Sequence, residues 1–164
     1  MNKNTTFVGN IGEQIAVDHL ISKGYRILER NAKICGSEID IICEAYLKPD
    51  GSVIPVKCGA GAFVNRTNVR QSGLFGKNNS LKGAERVIVF CEVKTRIGNE
   101  FGSAVEAVTP YKIGRYVKAA KVYTSSSKYS GCNIRFDVIE VGEGGINHIE
   151  GAFWENDAKY PCRR

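Results

Sequence analysis

Four residues have the types and spacing for work on a phosphate ester: Glu13, Asp40, Glu92 and Lys94. In Glu92-Val93-Lys94, positions two apart on an extended strand point to the same side. Backbone geometry therefore holds a carboxylate and an ammonium close together. Ile88 and Phe90 precede them on that face, so the pair sits where an apolar surface runs out. An ionised group there needs a partner or a metal. Asp40, on another strand-like run with a similar apolar lead, supplies a second carboxylate. Two carboxylates with a backbone carbonyl and waters suit magnesium, a hard ion that prefers oxygen ligands. Such an ion polarises a phosphoryl oxygen and makes water a better nucleophile. An adjacent lysine orients that water or stabilises charge developing on the phosphate. Together these parts fit phosphodiester hydrolysis.

Each residue also has a structural reading. Glu92 and Lys94 could form an ion pair on a wet strand end, worth little, and Asp40 could be a solvated edge residue. Asn10-x-x-Glu13 matches a capping box with Asn10 as N-cap. Yet the helical neighbours of Glu13 are Gly9, Ala16, Val17 and Leu20, all small or apolar, so its carboxylate faces protein. Site and capping roles stay open together. The six cysteines contain no C-x-x-C pair, and Cys43 and Cys91 lie in apolar runs as small hydrophobes. His19 and His148 have no partner at metal-motif spacing.

The elements that must position these groups follow from periodicity. Asn10 to Lys23 reads as a helix closed by Gly24, and Tyr25 to Arg30 as a short strand. Ser37 to Glu44 alternates, with Ile39, Ile41 and Cys43 on one face and Glu38, Asp40, Ile42 and Glu44 on the other. Arg86 to Thr95 is apolar on both faces in its first half, as a central, doubly covered strand should be. Thr109-Pro110 opens a helix with a capping hydroxyl and a proline at its first position. Ile113, Tyr116, Val117, Ala120 and Tyr123 form its packing face, with Lys112, Arg115, Lys118 and Lys121 around the other side. Asn133 to Val141 alternates again, and Ile146 to Ile149 is a last short strand. Helix, three strands, helix, two strands describe an α/β layered domain with a mixed central sheet flanked by helices.

The 164 residues suit one domain, 1–164, with a core that needs no disulfide staples. Hydrophobic residues at 43% and charged residues at 24% exclude wholesale disorder. No run approaches the roughly 18 apolar residues of a membrane span, and Met1-Asn2-Lys3-Asn4-Thr5-Thr6 lacks the apolar core of a secretory signal. A cytoplasmic setting with no membrane partner is expected. The net charge of +6 favours a polyanion. Much of the excess lies in a Gly-rich insertion at about 48–85, where Lys48, Lys57, Arg66, Arg70, Lys77 and Lys82 face only Asp50 and Glu85. Pro49-Asp50-Gly51 reads as a turn, and Val53 to Val56 as a short returning strand. The rest reads as a long basic loop.

The order of the motifs carries a resemblance. Gly9-Asn10-Ile11-Gly12-Glu13-Gln14-Ile15-Ala16 is followed by Gly24-Tyr25-Arg26-Ile27-Leu28-Glu29-Arg30-Asn31 and Gly36-Ser37-Glu38-Ile39-Asp40-Ile41-Ile42. Then come Val89-Phe90-Cys91-Glu92-Val93-Lys94-Thr95-Arg96, Phe101-Gly102, Ala107-Val108-Thr109 with Lys112, and Arg135-Phe136-Asp137-Val138 before His148-Ile149. Outside the insertion, the chain closely resembles the YraN-type bacterial family. That family looks like a member of the restriction-endonuclease-like, PD-(D/E)xK nuclease superfamily, near archaeal Holliday junction resolvases.

The resemblance implies a restriction-endonuclease-like core, with Glu13 as the acid of the first helix and Asp40 as the first metal ligand. It implies Glu92 and Lys94 as the E-x-K pair, and Lys112 as a basic residue of the following helix. Ile39 stands where the superfamily name has proline, Ser37 where a second glycine is common, and the insertion lengthens the gap from Asp40 to Glu92. The expectation is an endonuclease dependent on Mg2+ or Mn2+ and acting on branched or structured DNA. Asp40 and Glu92 would bind metal, Lys94 would assist the attacking water, and Glu13 would support either. Arg96, Lys112 and Arg115 would hold phosphates without reading sequence. A homodimer is expected by analogy. The alternative is a non-catalytic nucleic-acid-binding module or adaptor that keeps the fold.

Overall fold

The structure, a computed structural model, describes residues 3–55, 81, 83–96 and 108–157. The elements are α1 (Lys3–Ser22), β1 (Arg26–Ile34), β2 (Ser37–Leu47), β3 (Glu85–Thr95), α2 (Pro110–Thr124), β4 (Asn133–Gly142) and β5 (Gly145–Ile149). Helix, three strands, helix and two strands appear in the expected order. Most of the basic insertion (56–80 and 82) lies outside the described residues, as do Cys58 and Cys162. Of the returning strand expected over Val53 to Val56, Val53 makes a single bridge to Leu47, and Val56 lies outside the described residues.

The five strands lie in the order β1-β2-β3-β4-β5. Neighbours are antiparallel except β3 and β4, which run parallel and are joined through α2. A parallel neighbour needs such a crossover connection. Ala16, Val17 and Leu20 of α1 pack with Ile41, Cys43, Val87, Val89, Cys91 and Ile139 on one face of the sheet. Ile113, Tyr116, Val117 and Ala120 of α2 pack with Ile42, Ile88, Phe90, Phe136 and Val138 on the other. β3 is thus covered on both faces, as its doubly apolar first half requires. Ile88 and Phe90 are wholly buried, each stabilising the fold by about 1.5–3 kcal/mol. The four described cysteines are free, and Cys43 and Cys91 are core residues.

Three local features set the site. Gly12 lets α1 lie against the end of β3: a Cβ there would stand 1.9 Å from Thr95 Oγ1. Gly24, at φ +90°, ends the α1 turn in the left-handed region, where a side chain is strained. Thr109 caps α2 by accepting from the Lys112 amide at 3.3 Å, with Pro110 in the first turn.

Two expectations are corrected. Helix α1 begins at Lys3, not near Asn10, so Asn10 is an exposed residue inside the helix and cannot be its N-cap. The capping box is therefore excluded, because Glu13 is too far from the helix start to reach an unpaired first-turn amide. Strict alternation along β2 also fails at Asp40. Ile39 packs with Ile42 on the α2 side, not with Ile41 and Cys43. The paired β2–β3 positions end at Ile41 and Cys91. Just beyond, Asp40 Oδ2 accepts from the Val93 amide at 2.7 Å, a side chain standing in for the strand carbonyl. In the neighbouring strand Asn31 adopts φ +49° between Arg30 and Ala32, the partners of Ile41 and Ile39. Asparagine tolerates that left-handed conformation better than most residues.

Candidate functional site

The centre of the site is Glu92, near the C-terminal end of β3 and only 2% exposed. Strand alternation aims it and Lys94 to the same face, and Lys94 Nζ lies 2.7 Å from Glu92 Oε1. Lys112, from the first turn of α2, reaches the same oxygen at 2.5 Å. One turn further along α2, the Tyr116 hydroxyl donates to Glu92 Oε2 at 2.5 Å. Helix spacing places Lys112 and Tyr116 on one face, four residues apart. The pair on a wet strand end is thus excluded for Glu92, which is buried and carries three partners.

Asp40 comes to the same place from β2, anchored on the Val93 amide. Burial and the nearby charge of Glu92 push its carboxyl up to about 7, against the pull of the Val93 amide and Lys112. Burial acts on Glu92 in the same sense, but its hydrogen bonds from Lys112, Lys94 and Tyr116 outweigh it and hold Glu92 below the usual range. The phenol of Tyr116 is pushed far up by burial and by the charges of Asp40 and Glu92, so it acts as a donor. Of the two neighbouring carboxylates, Glu92 holds the lysines and the tyrosine and stays ionised, while Asp40, buried with only the Val93 amide as its hydrogen-bond donor among the described contacts, favours its proton.

Glu13 reaches the neighbourhood from α1. Its Oε2 accepts from Asn31 Nδ2 at 3.0 Å and lies 4.0 Å from an Arg30 nitrogen. Its charge is felt at Asp40, where it favours the protonated form. Arg115 is tied to the β1–β2 turn, donating to Ser37 Oγ at 3.2 Å and to the Gly36 carbonyl. Arg96, just past β3, pairs with Glu140 of β4 at 3.3 Å. The structure therefore gathers Asp40, Glu92, Lys94 and Lys112, with Glu13 at their edge and Arg115 one turn along α2.

Asp40 and Glu92 are the residues that could hold a divalent cation. Their donors are hard carboxylate oxygens brought together at the end of β3, so the donor chemistry fits magnesium or manganese. Among the described residues no three His, Cys, Asp or Glu side chains converge for metal binding, so a bound ion would keep much of its water.

The sequence assigns Tyr116 to packing and Lys112 to phosphate binding; in the structure both meet Glu92. The signal was their four-residue spacing on a helix that crosses over the strand bearing Glu92. Sequence reasoning also passed over a buried network on the α1 side. Asp137, wholly buried, accepts from Arg135 at 2.8 and 2.9 Å and from the Gly151 amide at 3.0 Å, and lies 2.9 Å from His148 Nε2. His19 and His148, distant in sequence, bring their rings to 5.4 Å. Glu44, another fully buried carboxylate, is held by Arg26 and Arg86.

Sheet, helices and site together define an α/β protein with a five-stranded mixed sheet and a buried carboxylate–lysine cluster near the end of its central strand. The chain belongs to uncharacterised protein family UPF0102, whose sequence profile matches residues 12–141. This is the family of the YraN-type resemblance. A UPF0102 protein of Syntrophomonas wolfei is 36% identical over 150 residues, covering 89% of this chain and 96% of its own. One from Caldanaerobacter subterraneus is 35% identical over 160 residues, covering 93% and 98%. One from Trichlorobacter lovleyi is 32% identical over 158 residues, covering 93% and 94%. Among the described residues no helix is long and apolar enough to cross a membrane.

Proposed function

We propose that this chain has a restriction-endonuclease-like core and is a Mg2+- or Mn2+-dependent endonuclease that hydrolyses phosphodiester bonds in branched or junction DNA. The observation that carries the reading is the convergence of Asp40 with Glu92 and Lys94 at the buried end of β3, from strands that pair only as far as Ile41 and Cys91. Asp40 and Glu92 would hold the metal, which when bound polarises a phosphoryl oxygen and makes water a better nucleophile. Lys94, 29% exposed, keeps its ammonium at the water-facing rim of Glu92, where it orients the attacking water and offsets charge on the phosphate. Water adds to phosphorus as the bond to the leaving sugar oxygen breaks, giving a phosphate monoester and a hydroxyl end. Tyr116 fixes the second oxygen of Glu92, and Glu13 acts from the edge through Asn31 and Arg30. Lys112, Arg115 and Arg96 supply positive charge for the DNA backbone. The analogy with junction resolvases extends to a homodimer.

One observation favours a second reading, a non-catalytic nucleic-acid-binding module. Both oxygens of Glu92 already carry partners, as in a structural ion-pair cluster. Junction, flap and linear DNA incubated with the protein and Mg2+ or Mn2+ separate the two. The nuclease reading expects metal-dependent strand cutting, lost in Asp40→Asn, Glu92→Gln and Lys94→Ala while salt-sensitive binding persists. Cutting by Lys94→Ala at the wild-type rate overturns the mechanism. Binding without cutting under every metal condition supports the module.

A further inference from the structure

A cleft of about 470 Å³ lies between the β1–β2 turn and the first two turns of α2. Ser37, Glu38, Tyr111, Lys112, Arg115 and Tyr116 line it. Two of these, Lys112 and Tyr116, also touch Glu92, so they form a wall shared by the cleft and the carboxylate–lysine cluster. We propose that it receives one unpaired nucleotide of a DNA substrate, with the base laid against the Tyr111 ring. This deepens the nuclease reading and rests on it for the identity of the substrate as DNA.

The walls select a base rather than a bare anion. Tyr111 is 56% exposed, and the Arg115 guanidinium carbon lies 5.7 Å from its ring centroid. Arg115 is itself held by Ser37 Oγ and the Gly36 carbonyl, so the aromatic and guanidinium surfaces are ordered before any ligand arrives. Such a pair is the stacking platform that single-stranded nucleic acid uses, and it tolerates any base, because every base has a π-face. Glu38 adds an acceptor that repels a lone phosphate and suits an amino or imino N–H on a base edge. Lys112 and Arg115 face the backbone phosphate from α2. The volume falls in the range of small-molecule pockets, about 300–1,000 Å³. A base inside a duplex shows only its edges. Its face can meet Tyr111 only when the nucleotide is unpaired and unstacked, as at a flap, bulge or branch point.

The test uses the full chain in EDTA, so that strand cutting does not enter. Two DNA duplexes of one sequence are compared, one fully paired and one carrying a single unpaired 2-aminopurine nucleotide, by fluorescence anisotropy and 2-aminopurine emission. The expected result is roughly tenfold tighter binding of the bulged duplex, with emission changed on binding, consistent with one base stack. Tyr111→Ala removes that preference, and Tyr111→Trp retains it. Thermal melts of the variants are recorded beside the wild type, and Tyr111→Trp, which keeps a ring beside Arg115, separates loss of the stacking face from loss of fold. Equal affinity for both duplexes, or a preference that survives Tyr111→Ala, overturns the cleft. The same DNAs are then given Mg2+ and scored for cutting. Preference without cutting sinks the nuclease reading and leaves the cleft standing, and cutting without preference does the reverse.

Discussion

The Tyr116 hydroxyl donates to Glu92 Oε2 at 2.5 Å, a hydrogen bond between two side chains that are 1% and 2% exposed. It is a direct tie between α2 and the central strand. Tyr116→Phe keeps the ring in the core and removes only the donor, leaving a buried carboxylate oxygen short of one partner. The expected cost is about 1–3 kcal/mol. Urea unfolding checks it: the midpoint falls while the slope is unchanged.

Glu92 and its two lysines should respond unequally. The side chains of Lys94 and Lys112 are 29% and 34% exposed, so both can turn to water if Glu92 is neutralised. Glu92 has no such escape. Glu92→Gln also removes one of two crowded carboxylates and relieves Asp40. Its lysines can rehydrate and Asp40 is relieved, so the loss should stay below the roughly 3–5 kcal/mol of a broken buried pair whose remaining charge is trapped. The double change Lys94→Met with Lys112→Met strands a buried charge and should cost about 3 kcal/mol or more. Denaturant curves of the two variants at neutral pH decide it, and equal losses would contradict the asymmetry.

Acid should unfold the protein through carboxylates far from the site. Burial alone would raise Asp137 and Glu44. The hydrogen bonds of His148 and Arg135 to Asp137, and the Arg26 and Arg86 interactions with Glu44, outweigh burial and leave both low. A depressed carboxylate contributes stability above its unfolded value, here 3.8 for Asp137 and 4.5 for Glu44. That contribution disappears as pH falls through the lower folded value. Melting temperature should therefore drop steeply below about pH 4.5, where the Asp137 and Glu44 contributions are lost. Between about pH 7 and pH 5 two groups oppose each other: the raised Asp40 carboxyl gains stability as pH falls, and the lowered His19 imidazole loses it. Glu44→Gln should be less stable than wild type at pH 7 and lose less on acidification. Parallel melting curves from pH 7 to pH 3 would refute the assignment.

Parts of the site were legible in the chain because they depend on local geometry. Period-two alternation in β3 is a property of neighbouring residues, and it placed Glu92 beside Lys94 without knowledge of any other element. The Thr109-Pro110 start of α2 was equally local. The start of α1 was not legible: the helix as a whole shows little amphipathic contrast, and a capping pattern at Asn10 pointed to the wrong boundary. The break in alternation at Asp40 was hidden for a different reason. It arises where Asp40 bonds the Val93 amide of another strand, and no window along β2 contains that partner.

Residue order and hydrophobic period alone decided the succession of elements, the burial of β3 on both faces and the pairing of Glu92 with Lys94, because short-range backbone sterics set them. Only the folded molecule decided that Asp40 meets Glu92, that Lys112 and Tyr116 turn inward onto it, and that His19 meets His148. Those contacts depend on strand register and on the rotation of each helix about its axis. Both are settled by packing across the whole sheet, where chain separation is irrelevant and shape and charge must be satisfied together.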